Sequence, residues 1–268
     1  IKLNRAEMLV LDEADHMLDL GFIQDIRDLI RFLPRKRQTL FFSATIDEKI
    51  KKLAYSLVHN PIRIQVSPDN PVNKNIIHWV VPVGMDDKRF FLERVVRENP
   101  ESKILVFVRT KIRAERVLKA LERVGIGSMT IHGDKEQTDR LAVMKQFRTG
   151  EVNVLIATDV SARGIDIPDV DFVVNYDVPE QPENYVHRIG RTGRGTRKGN
   201  AVTFASPEEK PLLEKIETYI GTPIDVMRVS KDVYTETIDF SQEVKPDLKG
   251  LLREVEEFEA KRKKKKKG

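Results

Sequence analysis

Acidic side chains that close an apolar run are the first residues here with a chemistry to suggest. Asp12-Glu13-Ala14-Asp15 directly follows Met8-Leu9-Val10-Leu11. Carboxylates so placed suit magnesium, which wants hard oxygen ligands, keeps several waters and bridges to phosphate oxygens. The same residues also favour the N-terminus of a following helix, so the motif alone leaves both readings open. Ser43-Ala44-Thr45 ends the next apolar run, a place where small hydroxyl residues commonly cap helices. Far along the chain, Tyr185-Val186-His187-Arg188-Ile189-Gly190-Arg191-Thr192-Gly193-Arg194 sets three arginines around two glycines. On a solvated helix such arginines would be surface ion-pair partners. Glycines between them remove side chains, weaken the helix and let a bulky anion approach. The planar guanidinium fork matches phosphate oxygens, so the functional reading is a γ-phosphate clamp.

The elements that must position these groups alternate. Residues 8–11 have the look of a buried parallel strand ending in a site. A helix is expected over 23–33, a strand over 39–42, a helix over 47–58 and a strand over 62–66, a β-α-β-α-β run. Residues 67–75 hold Pro68 and Pro71 among polar neighbours and read as a linker. Strands are then expected near 76–83, 104–108, 128–132, 152–157, 171–175 and 201–205. Between them, Phe91, Val95 and Val96 mark one helical face, Ala114, Val117, Leu118 and Leu121 another, and Leu141, Met144 and Phe147 a third. This pattern predicts an α/β fold with a mostly parallel sheet covered on both faces. Ligands of such sheets bind beyond the strands' carboxyl ends, where Asp12, Ser43, Arg109, His132, Thr158 and Tyr176 fall. The predicted organisation is a first domain over 1–66, a linker over 67–75, a second domain over 76–230 and a charged, flexible arm over 231–268.

Composition narrows the class. The 268 residues are 40% hydrophobic, enough for a real core. There is no run of 18 apolar residues and no signal-like leader, so a soluble, cytoplasmic protein without a membrane partner is expected. Zero cysteines exclude disulfides and thiolate metal sites, and the five histidines form no HExxH pattern. The net charge of +5 sits almost entirely in Lys261–Lys267, seven basic residues in a row; the rest of the chain carries 40 basic against 42 acidic residues, a net of −2. Any polyanion must therefore be held by a local groove and not by a global field. The lysine-rich run itself reads either as an RNA-affinity arm or as a solvated end.

Taken together the motifs resemble those of the DEAD-box RNA helicases of superfamily two. The matching residues are Asp12 to Asp15, Ser43 to Thr45, Val106 to Thr110, Gln137 with Arg140, Ala157 to Asp166, and Tyr185 to Arg194, in the family's order over residues 7–225. A closer likeness to the bacterial RhlE-type helicases, with short cores and basic extensions, is much less specific. The resemblance implies a RecA-like, P-loop NTPase-type parallel sheet, here as one complete C-terminal lobe plus the end of the first lobe, with ATP and Mg2+ as cofactors and RNA as partner. It implies that Asp12 holds magnesium through water and that Glu13 orients or deprotonates the attacking water. Arg191 and Arg194 would act as arginine fingers on the γ-phosphate, Asp166 with Gly164 would reach the nucleotide ribose, and Asp15 would couple to His187. Ser43, Thr45 and His187 would link ATP state to strand separation. Arg109, Gly133, Gln137, Arg140 and Thr158 would contact RNA, reading its backbone and not its base edges. A monomer is expected.

One feature of the family is missing from the sequence. The family carries a glycine-rich phosphate-binding loop well upstream of its DEAD motif, whereas no GxxxxGK[ST] occurs here and eleven residues precede Asp12. The chain is therefore expected to be the trailing part of a longer enzyme and, by itself, not to turn over ATP. A non-catalytic RNA- or partner-binding module is the alternative, and a related DNA translocase a third reading that DEAD and HRIGRTGR disfavour.

Overall fold

Short runs of Val, Ile, Leu and Phe set the strands, and each run stops where polar residues begin. The computed structural model describes residues 2–19, 21–43, 48–58, 60–65, 71–162, 167 and 170–241. The chain divides into two compact units, residues 1–67 and 68–268.

In the first unit, β1 (Met8–Leu11) pairs in parallel with β2 (Gln38–Phe41), joined through α1 (Ala14–Asp19) and α2 (Ile23–Arg31) and followed by α3 (Glu48–Leu57). Strand side chains alternate between faces. Leu9, Leu11 and Phe41 accordingly pack with Ile26, Leu53 and Leu57, while Met8 and Val10 face outward, 53% and 51% exposed. The strand expected over 62–66 is not there. Residues 60–65 have no ladder partner among the described residues, and Ile62 and Ile64 are 89% and 80% exposed; Val66 lies outside the described residues. β-branched residues favour extended backbone, but only a neighbouring strand makes it sheet.

The second unit holds a seven-stranded, wholly parallel sheet. In chain order its elements are β3 (Ile76–Pro82), α4 (Lys88–Glu98), β4 (Ile104–Val108), α5 (Lys111–Arg123), β5 (Met129–Ile131), α6 (Gln137–Thr149), β6 (Val154–Thr158) and α7 (Asp159–Ala162). They continue with β7 (Phe172–Asn175), α8 (Pro182–Ile189), β8 (Gly199–Ala205), a 3-10 turn (Pro207–Glu209), α9 (Lys210–Ile220), β9 (Asp225–Val226) and α10 (Lys231–Phe240). The spatial order is β5-β6-β4-β7-β8-β3-β9. Every residue of β4, β6 and β7 is buried, as a sheet sandwiched between helices requires. One face packs α6, α8 and α9 through Met144, Phe147, Tyr185, Ile189, Ile216 and Ile220. The other packs α4 and α5 through Phe91, Leu92, Val96, Ala114, Val117 and Leu121.

Three sequence expectations change. Leu141 is exposed although Met144 and Phe147 of the same helix are core, because α6 turns only part of that stripe to the sheet. Residues 71–75, read as linker, are fixed to the second unit: Val72 is buried, Asn73 Nδ2 donates to Gly193 O (3.1 Å) and Asn75 Nδ2 to Gly195 O (2.8 Å). Residues 231–240, read as the start of a flexible arm, form α10, capped by Ser230 and packed on α4. Tyr234 packs its ring against Phe91, tilted by 56° with 5.0 Å between ring centres, and donates to Asp87 Oδ2 at 2.6 Å. With Arg94 Nη1 donating to the buried Thr237 hydroxyl at 2.7 Å, Tyr234 holds a helix whose apolar periodicity is weak. The remainder of the arm, 242–268, lies outside the described residues.

Candidate functional site

The acidic motif sits at the carboxyl end of the first unit's sheet. Phe42 N donates to Leu11 O and Ala14 N to Phe42 O, so the chain leaves both strands together and enters α1 within two residues of Asp12. Glu13 makes that turn at φ +50°, a left-handed conformation unusual for a residue with a Cβ. Asp12 is exposed, and its Oδ1 accepts from Glu13 N at 2.9 Å. Asp15 lies in the first turn of α1, and Ser43 follows the end of β2; both are half-buried. Thr45, Gly164 and Asp166 lie outside the described residues.

Among the described residues no group of three or more His, Asp or Glu is arranged to hold a metal. Magnesium takes one or two carboxylates and completes its shell with water and phosphate. Asp12 is exposed, and its second oxygen has no partner among the described residues, which suits that partial role.

In the second unit the carboxyl ends of β4, β5 and β6 gather Arg109, Gly133, Gln137, Arg140 and Thr158, whereas the turn after α8 that carries Arg191 and Arg194 lies at the amino ends of β3, β7 and β8, where Arg191 O accepts from Val170 N at 3.1 Å. Gly133 follows β5 on open surface, where a Cβ would meet nothing within 4 Å, so its backbone is accessible. Gln137 opens α6 and accepts from Arg140 Nη1 (3.4 Å), while Arg140 Nη2 reaches Ser161 O (3.4 Å). Thr158 is buried, not exposed: its N–H and hydroxyl both meet Ser161 Oγ, which in turn donates to Ile131 O at 2.6 Å. Ser161 thereby ties the ends of β5 and β6 together.

The arginine-rich segment divides in a way its sequence does not suggest. Arg188 is buried, bonded through Nε and Nη2 to Asp159 (2.6 and 2.8 Å) and through Nη1 to Asp177 O (2.8 Å), with its guanidinium over the Phe107 ring. It therefore anchors α8 to β6 and β7 and is not part of a clamp. Arg191 is half-buried and Arg194 exposed on the turn that follows α8, with Arg194 Nε donating to Gly190 O (3.3 Å); His187 is half-buried in the last turn of that helix. Gly193 is required here for packing, because at φ +69° any Cβ would lie 2.7 Å from the Ile76 side chain. Its role is close approach of the turn to β3, not room between guanidiniums.

Sequence reasoning missed a buried charge cluster beside Arg109. Lys88, Asp177 and Glu209 are fully buried at the ends of β3, β7 and β8. Lys88 Nζ donates to Glu209 Oε2 (2.5 Å) and Tyr176 O (2.8 Å) and lies 3.9 Å from Asp177 Oδ1. Burial pushes the Lys88 ammonium below its ordinary range, against the opposing pull of Glu209 and Asp177. Arg109 Nη2 joins the cluster through Glu209 Oε1 (3.1 Å). The Ser206-Pro207-Glu208-Glu209 spacing of a helix-capping box was the available signal.

Comparison with known proteins identifies the family. The family model described as DEAD/DEAH box helicase matches residues 1–53, and that of the helicase conserved C-terminal domain matches residues 87–196. The Escherichia coli DEAD-box protein SrmB, solved bound to regulator of ribonuclease activity A, is 37% identical with a TM-score of 0.55, over 60% of this chain and 94% of that one. The chain belongs to the DEAD-box helicase family. Its second unit has the family's RecA-like sheet: the Saccharomyces cerevisiae Dbp5 structure bound to RNA and ADP BeF3 superposes with a TM-score of 0.76 at 33% identity, over 90% of this chain and 63% of that one. Among curated relatives, the ATP-dependent RNA helicase RhlB of Shewanella frigidimarina is 42% identical over 240 residues, 89% of this chain. The chain spans 55% of that relative's length. Among the described residues no helix is long and apolar enough to cross a membrane.

Proposed function

We propose that this DEAD-box protein is an ATP-dependent RNA helicase of the cytoplasm, acting as a monomer, in which RNA-stimulated ATP hydrolysis drives local opening of short duplexes. One observation carries the reading: Asp12 and Glu13 close a parallel strand pair in one unit, and Arg191 and Arg194 lie on the turn after α8 in the other, within a chain that belongs to this family. Magnesium bound with ATP would neutralise charge on the phosphates, and Asp12 is the residue to hold it. Glu13 orients and deprotonates the attacking water. Arg191 and Arg194 stabilise charge on the γ-phosphate as it leaves. Asp166 with Gly164 meets the ribose, and Asp15, His187, Ser43 and Thr45 link nucleotide state to RNA. Arg109, Gly133, Gln137, Arg140 and Thr158 bind the RNA backbone, and Dbp5 bound to RNA supports that class of partner. The lysine-rich end supports an RhlE-type subtype, although the identity to RhlB supports an RhlB-type assignment equally.

The decisive experiment measures RNA-stimulated phosphate release by the protein at the full length of its gene. Replacing Arg191 and Arg194 by alanine is expected to lower the rate by about a thousandfold or more, as for other arginine fingers. An undiminished rate would sink the reading. A second reading, a non-catalytic RNA-binding module, is favoured for these 268 residues by the lack of any GxxxxGK[ST]. It predicts that this chain binds RNA and releases no phosphate from ATP.

A further inference from the structure

We infer that Glu209, itself fixed by Lys88, is a positioning residue that aims the Arg109 guanidinium for RNA. This deepens the proposed function and rests on its reading of Arg109 as an RNA contact.

Four donors hold Glu209 in one orientation. Oε2 accepts from Lys88 Nζ (2.5 Å) and from Ser206 N (3.1 Å), and Oε1 accepts from Val178 N (3.2 Å) and from Arg109 Nη2 (3.1 Å). The Ser206 contact is set locally, since Glu209 ends the 3-10 turn and reaches back to the residue that precedes it. A carboxylate with both oxygens so engaged has no rotameric freedom left, and among the described residues Arg109 is its one partially exposed partner. The other buried carboxylate acts on the same residue: Asp177 Oδ2 accepts from Arg109 N at 2.9 Å. Arg109 is thus gripped at its backbone by Asp177 and at its guanidinium by Glu209, and Lys88 lies beside both acids.

A buried lysine and glutamate that served stability alone would need no third, solvent-facing partner. Buried ion pairs are in general no more stabilising than apolar residues of the same volume. What this pair supplies is direction. Arg109 Nη2 is turned inward to Glu209 and Val178 O, while Nη1 has no partner among the described residues and Nε meets only the exposed Glu180 at 3.5 Å. An arginine immobilised before its ligand arrives loses less freedom on binding a phosphate. Glu180 then acts as the carboxylate that RNA displaces.

The test measures binding of a fluorescein-labelled single-stranded oligouridine to the whole chain over a salt series. The variants are Arg109→Ala, Lys88→Met with Glu209→Gln, and all three substitutions together. Exchanging lysine and glutamate together strands neither member of that pair, and Asp177 keeps Arg113 Nε at 3.7 Å and Arg109 N at 2.9 Å as partners, which protects the fold. Arg109→Ala is expected to weaken binding about tenfold and to flatten the salt dependence by about one phosphate contact. The Lys88/Glu209 pair of substitutions is expected to reproduce most of that loss and to add nothing once Arg109 is alanine. Additive losses, or full affinity in the pair variant beside a weakened Arg109→Ala, would overturn the positioning role while leaving Arg109 an RNA contact. Unchanged binding by Arg109→Ala would overturn the RNA reading of Arg109 and this inference with it. Glu180→Gln, on the surface and safe for folding, provides the second arm. It is expected to bind at least as tightly as the unaltered chain, and a loss equal to that of Arg109→Ala would mean that Glu180, not Glu209, positions the arginine.

Discussion

The two units are built from the same alternation of apolar strand and amphipathic helix, yet they use it differently. In the second, seven parallel strands are covered on both faces, and two large clusters of buried side chains lie above and below the sheet. In the first, two strands share one core face, while Met8 and Val10 stand on an open one. The comparison teaches that a βαβ pattern secures strand pairing but not enclosure. Enclosure depends on how many strands and helices share the sheet, and with it go buried charges: Lys88, Asp177, Arg188 and Glu209 are all in the enclosed unit.

The largest effect expected from this contrast is on autonomous folding. A fragment of residues 68–241 should unfold cooperatively in urea, whereas residues 1–67 alone should show no cooperative transition. Two equal transitions would break the comparison. Next in size is Arg188→Ala, which removes the partner of Asp159 and two further bonds from a buried site. It should destabilise the second unit by about 3–5 kcal/mol in chemical denaturation. A cost below about 1 kcal/mol would mean that Arg188 is not the anchor described.

A smaller effect is on pH dependence. Burial, aided by Asp177, pushes the Tyr176 phenol up to about 12, and burial raises Tyr185 further. Between pH 10 and 12 the unfolded chain releases protons that the folded unit retains. Stability is therefore complete below pH 10 and is lost as pH rises through that window, by at most about 1.4 kcal/mol per pH unit for each group. Tyr176→Phe should flatten this alkaline decline, and an identical decline would refute the assignment. The smallest effect belongs to the open face. Met8→Lys in this chain should alter stability by about 0.5 kcal/mol or less, whereas Val106→Lys in the second unit should prevent folding. Comparable losses from the two would show that the first unit's outer face is covered.

Local chemistry explains what could be read in advance. Residues 104–108 are apolar at every position and bounded by polar ones, so β4 was legible to the residue. The acidic and arginine-rich motifs were legible too, because their residue types are rare at such density. Ile62 and Ile64 misled because extended backbone is a local preference, whereas a strand is a pairing. Leu141 misled because a helix with a broad apolar stripe does not announce which part meets the sheet. The 3-10 turn at Pro207–Glu209 carried a capping signature, yet nothing near it in sequence indicates that Glu209 meets Lys88 and Arg109, 121 and 100 residues away.

The sequence by itself determined that this is a parallel α/β chain of the DEAD-box family, with acids closing one strand and arginines following one helix. Only the tertiary structure decided which charged groups are buried together: that Arg188 is an anchor and not a clamp, that Thr158 is held by Ser161, and that Arg109 is fixed by Glu209. The physical reason is range. Strand and helix periodicity act over a few residues, while burial of a charge depends on partners that sheet order brings together from distant parts of the chain.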